Sequence, residues 1–77
     1  MPKILDAEGF RFFFYSNEHP PIHVHVRYAE GEAVFILEPD VELRESVAFN
    51  VRRLSRAEEL IHEHIELIKQ AWHEHLG

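Results

Sequence analysis

Two adjacent prolines, Pro20 and Pro21, break an otherwise extended stretch that runs from Phe10 to Arg27, FRFFFYSNEHPPIHVHVR. Successive residues without amide hydrogens cannot sit in a β-ladder, and proline pushes His19 before it toward an extended conformation. The chain must therefore turn at this point, with a strand on either side. On the near side, Phe10 to Asn17 places Phe10, Phe12 and Phe14 on one face and Phe13 and Tyr15, beside Arg11, on the other. A strand apolar on both faces belongs inside a sheet, covered from both sides. On the far side, Ile22 to Tyr28 alternates: Ile22, Val24, Val26 and Tyr28 share one face, and His23, His25 and Arg27 share the other.

Glu30-Gly31 predicts a tight turn, and Ala33 to Leu37 a returning antiparallel strand. With a two-residue turn there, Ala29 faces Glu32, Arg27 lies beside Val34, His25 beside Ile36 and His23 beside Glu38. Pro39 closes that strand and Asp40 suits a turn. Val41 to Phe49 reads as a loop with a short edge strand. At the other end, Pro2 to Leu5 reads as a stubby edge strand entering a hairpin at Asp6 to Gly9.

From Val51 onward the period changes. Leu54, Ala57, Ile61, Ile65, Ile68, Trp72 and Leu76 form one stripe at helical spacing, and Gly77 ends it. Asn50 is an N-cap candidate, and Ser55 with Glu58 offers a second start. Strands first and one long C-terminal helix last make an α+β fold: an antiparallel sheet of three to five strands packed against that helix. Neither a repeat nor a linker divides residues 1–77, so the chain reads as a single domain.

So short a chain buries only about 60% of the surface its unfolded form exposes, and such domains often lean on a partner. Leu60, Leu67 and Ala71 fall off the stripe on a flank, the surface expected to meet a second copy or a small partner protein. A formal charge of −6 repels a phosphate backbone and argues against non-specific nucleic-acid binding. The absence of cysteine excludes disulfides and thiolate metal sites, and fits a cytoplasmic protein. No apolar run approaches the roughly 18 residues of a membrane span, and MPKILDAEGF has no hydrophobic signal core.

Seven histidines invite a search for a site. His62 and His64, like His73 and His75, are two apart on a helix, about 200° around its axis, and cannot share an ion. His23 and His25 are two apart on a strand, so their rings leave the same face about 7 Å apart at the backbone. Two imidazoles so placed can converge on a divalent metal such as zinc, with His19 and Glu38 as the third and fourth ligands. A second reading makes His19, His23, His25 and Arg27 an acid–base patch for phosphodiester chemistry, joined by Arg11 if it shares their face. The third is a half-exposed strand whose polar face is simply imidazole.

RFFFYSNEHPPIHVHV, the Gly31-Glu32-Ala33 that opens the next strand and the closing Ala71-Trp72-His73 together resemble the small bacterial family catalogued as domain of unknown function 4160. Ile22 occupies a place where that family often has a third proline. The resemblance implies a small stand-alone protein commonly encoded beside a second small protein, an arrangement read as a toxin–antitoxin pair, and it carries no established activity. It marks His19, His23 and His25 as the positions of the family's hallmark motif. The resulting expectation is an interaction domain in such a pair, against a histidine-site enzyme of the ribonuclease type or a metal-binding protein using His23 and His25.

Overall fold

A computed structural model describes residues 3–15 and 17–76, with Leu76 described through its backbone alone. The expected roles of Pro2, of the Leu76 side chain on the apolar stripe and of Gly77 as the helix stop lie outside the described residues.

Alternating strands and short turns give a meander. β1 (Lys3–Ala7), β2 (Phe10–Phe13), β3 (His23–Tyr28), β4 (Gly31–Ile36) and β5 (Glu42–Val47) pair antiparallel with their sequence neighbours, in the order β1-β2-β3-β4-β5. Two helices follow, α1 (Val51–Glu63) and α2 (Ile65–Leu76). The core forms between one face of the sheet and the helices. Phe10, Phe12 and Phe14, together with Val24, Val26, Ala33, Phe35 and Leu37, meet Ala57, Leu60, Ile61, Ile68 and Trp72 there. Trp72 meets the Phe14 ring edge-on at 5.3 Å.

The single long helix expected from the stripe is two helices instead. His64 leaves helical geometry at φ −118°, ψ 23°, and its amide hydrogen is shared between the carbonyls of Leu60 and Ile61. Its ring Nδ1 also donates to the Leu60 carbonyl, 3.0 Å away, competing for the acceptor that regular α-helix geometry would reserve for the amide. One residue outside the helix hardly changes the phase, so the apolar period runs through the break without a visible interruption. Asn50 is the N-cap, its side chain accepting from the Arg53 amide at 2.8 Å. Leu60 also differs from expectation. It is 2% exposed and belongs to the core, because the buried arc of α1 is wide enough to take both Leu60 and Ile61. Ala71 is half-buried against the core, which leaves Leu67, 46% exposed, as the outward member of the expected flank.

The β3–β4 register differs from the expected one by two residues. Tyr28 faces Gly31, Arg27 faces Glu32, His25 faces Val34 and His23 faces Ile36. The turn is made by Ala29 and Glu30, and Ala29 itself takes a positive φ of 53°. Gly31 is a strand residue: a Cβ there would run into the Ala48 carbonyl and the Phe49 ring. Its glycine serves close approach and not turn geometry. A two-residue shift keeps every side chain on its face, so the histidines stay together while Glu38 is carried out of register.

Candidate histidine–carboxylate site

The second sheet face carries the paired histidines, and Trp72 of α2 reaches its His23 end. Register aligns Phe13, His25 and Val34 in one row across β2, β3 and β4, and Arg11, Arg27 and Glu32 in the next. His23 and His25 share this face, as their spacing requires. They are not open to water: His23 is 6% exposed, and the side chain of His25 is 12% exposed. His25 stacks on Phe13 at 5.4 Å and meets Tyr15 edge-on at 4.6 Å, while His23 packs against Trp72 at 5.1 Å.

The group that joins the two rings is Glu18. The β2–β3 connection brings its carboxylate over this face, where one oxygen meets His23 Nε2 and the other meets His25 Nε2 at 2.7 Å. The Tyr15 amide donates to the same carboxylate at 3.3 Å. The far nitrogen of each ring is also fixed. His23 Nδ1 lies 2.7 Å from the Pro21 carbonyl, and His25 Nδ1 lies 3.3 Å from a Glu32 oxygen. The other Glu32 oxygen accepts from Arg27 at 2.9 Å, and that guanidinium lies over the Phe13 ring. Among the described residues no buried side-chain nitrogen or oxygen lacks a partner.

Opposing effects set the acidity of Glu18. Burial raises its carboxyl pKa, but hydrogen bonds from His23 and His25, the positive potential of His23 and the Tyr15 amide outweigh burial and hold it below its ordinary range. The carboxylate is therefore ionised well into mild acid.

Of the residues marked from sequence, the structure brings His23 and His25 together. His19 is exposed and lies outside this group. Glu38 is exposed and ion-paired with Lys69 at 3.4 Å, because His23 faces Ile36 and not Glu38. Arg27 and Arg11 do share the histidine face, directly opposite each other, but each guanidinium is engaged, Arg11 with Asp6 at 3.3 Å and Arg27 with Glu32. Sequence reasoning missed Glu18 and Glu32. The signal for Glu18 was its place just before the two prolines, since a connection that bends back over a sheet must lay its own side chains on one face. The signal for Glu32 was the turn, which centres one residue earlier than the glycine suggests.

One ligand atom from each of Glu18, His23 and His25 lies within 4.8 Å of the other two, a grouping able to hold a metal ion. No helix among the described residues is long and apolar enough to cross a membrane. A family model described as Domain of unknown function (DUF4160) matches residues 9–73. No curated protein and no solved structure matches the chain.

Proposed function

This chain belongs to the DUF4160 family, and we propose that it works through the Glu18–His23–His25 cluster as a ligand-binding histidine site. The observation that carries this reading is one partly buried carboxylate whose two oxygens are each taken by an imidazole. The row that holds His25 is otherwise apolar, with Phe13 and Val34 beside it. Apolar side chains would fill such a position at no cost in desolvation, whereas a buried ionic group is often neutral or unfavourable relative to apolar residues of similar volume. A chain that keeps the ionic group gains something other than stability.

Replacing the whole group at once tests this. The Glu18→Leu/His23→Phe/His25→Phe variant should melt at or above the temperature of the unaltered protein, because no charge is left unpaired. A melting temperature lower by more than about 10 °C would make the cluster a structural plug and overturn the proposal.

A second reading, a partner protein in a toxin–antitoxin-like pair, is favoured by β5. All six of its residues are exposed, and among the described residues it pairs with β4 alone. Free strand edges take up a strand from another chain, here the small neighbouring protein or a second copy. Co-purification with the neighbouring gene product should be lost when Ser46 is replaced by proline. It should weaken in Leu67→Glu if the helix flank contributes. An intact complex in both variants would exclude these surfaces.

A further inference from the structure

We propose that Glu18, His23 and His25 bind a divalent transition-metal ion of the zinc class, an inference that rests on reading the cluster as a working site. Each imidazole turns Nδ1 toward an oxygen that can only accept, the Pro21 carbonyl for His23 and the Glu32 carboxylate for His25. A neutral ring in that setting carries its proton on Nδ1 and presents the Nε2 lone pair to Glu18. A carboxylate oxygen is itself an acceptor, so each Nε2 contact with Glu18 needs either a ring proton or a metal ion between the two atoms. Two such contacts converge on the same carboxylate. A proton at each contact satisfies them separately; one divalent ion among the three donors satisfies both.

The arrangement around the donors matches what metals require. Histidine ligands almost always hand their other ring N–H to a backbone carbonyl or a carboxylate, which fixes the tautomer and orients the ring. His23 has the carbonyl and His25 has the carboxylate. Glu32 is in turn held by Arg27, and the His25 ring lies against Phe13, so the ligand's orientation is set from two sides. Tetrahedral zinc holds nitrogen and oxygen donors at about 2.0–2.2 Å, so that they stand about 3.4 Å from one another. The three donor atoms lie within 4.8 Å of each other; the His25–Glu18 contact, 2.7 Å, would open toward that spacing to admit the ion, a change within reach of small side-chain rotations.

The donor set also selects the ion. Two imidazoles and a carboxylate suit zinc, cobalt and nickel better than magnesium or calcium, which prefer oxygen cages. Three protein donors leave the fourth tetrahedral position to a water molecule, and the partial exposure of Glu18 and His25, 12% for each side chain, gives that water a route in.

The test uses the full chain stripped by a chelator and titrated with zinc sulfate, with the melting temperature as the readout. At zinc concentrations a hundredfold above Kd the melting temperature should rise by about 10–20 °C. Cobalt chloride should give the intense visible bands of a tetrahedral site. Glu18→Gln and His25→Phe should each abolish both signals. Glu32→Gln should weaken zinc binding by about 10–100-fold, read as the zinc-induced shift from its own metal-free melting temperature. His19→Ala and His73→Ala/His75→Ala should retain full binding, which separates this site from the surface histidines. The proposal is overturned if stripped wild-type protein shows neither a thermal shift nor cobalt bands at millimolar metal, or if the His73/His75 variant loses them. In that event, a triple apolar variant that still melts at or above the wild-type temperature leaves the ligand-site reading standing with another ligand. A collapsed triple variant removes both.

Discussion

Exchanging the residues at Ala29 and Gly31 in turn should move stability in opposite directions. In Gly31→Ala the added Cβ meets the carbonyl oxygen of Ala48 and the Phe49 ring, and a backbone atom cannot swing aside as a side-chain tip can. Overpacking of this kind costs about 1–3 kcal/mol, and the backbone contact puts this site in the upper half of that range. For a domain of this size each kcal/mol shifts the melting temperature by about 4–8 °C, so a fall of about 10–20 °C is expected. Ala29 lies at φ 53°, where a side chain costs about 1 kcal/mol relative to glycine. Ala29→Gly should therefore raise the melting temperature by a few degrees, part of the relief being offset by the greater freedom of glycine in the unfolded chain. Differential scanning calorimetry of both variants decides the matter, and Gly31→Asn sharpens it. Asparagine tolerates a left-handed turn, so if Gly31 served as a turn residue Gly31→Asn would be nearly silent. If Gly31→Asn and Gly31→Ala both melt within about 3 °C of wild type, the close-approach account and the register built on it are wrong.

Trp72→Ala removes the ring that packs on both Phe14 and His23. A loss of about 3–5 kcal/mol is expected, out of a total near 4–12 kcal/mol for a chain of this length, so urea denaturation should find the variant at or near the edge of folding. Asn50→Ala, which deletes the cap acceptor of α1, should cost about 1 kcal/mol by the same assay. Glu8 is held below its ordinary value of 4.5 by hydrogen bonds from Arg56, which outweigh desolvation. A depressed carboxylate contributes stability that is fully present above 4.5 and is lost as pH falls through the lower folded value, because the unfolded chain takes up the proton first. The urea midpoint of Glu8→Gln should accordingly fall less than that of wild type on acidification from neutral pH to about pH 3; parallel curves would show that the Glu8–Arg56 pair is not linked to folding.

The sheet and its faces were legible from the period-two pattern of Ile22–Tyr28 and the aromatic run before the prolines, because a strand's faces follow from backbone geometry alone. The histidine pair was legible for the same reason. The break at His64 was not, since an apolar stripe of period 3.6 keeps its phase across a single non-helical residue. Leu60 was misplaced because a stripe drawn one residue wide understates how much of a short helix a five-stranded sheet can cover. Glu38 was drawn to the site by a turn assumed to need its glycine. The actual turn places Ala29 at positive φ, and Glu32 takes up the outer nitrogen of His25 instead. Glu18 escaped notice because its position depends on how the loop before the prolines folds back over the sheet, and nothing periodic encodes that path.

A metal site at Glu18, His23 and His25 fixes where the ring protons of the two histidines sit once a metal is offered. Long-range proton–nitrogen correlation spectra of 15N-labelled protein, recorded before and after one equivalent of zinc, measure this directly. The prediction is that Nε2 of both residues shifts to a metal-bound value while Nδ1 stays protonated on Pro21 and Glu32, with the other five histidines unmoved. Zinc-induced shifts confined to the helical histidines, or Nδ1 losing its proton in either strand residue, would contradict it.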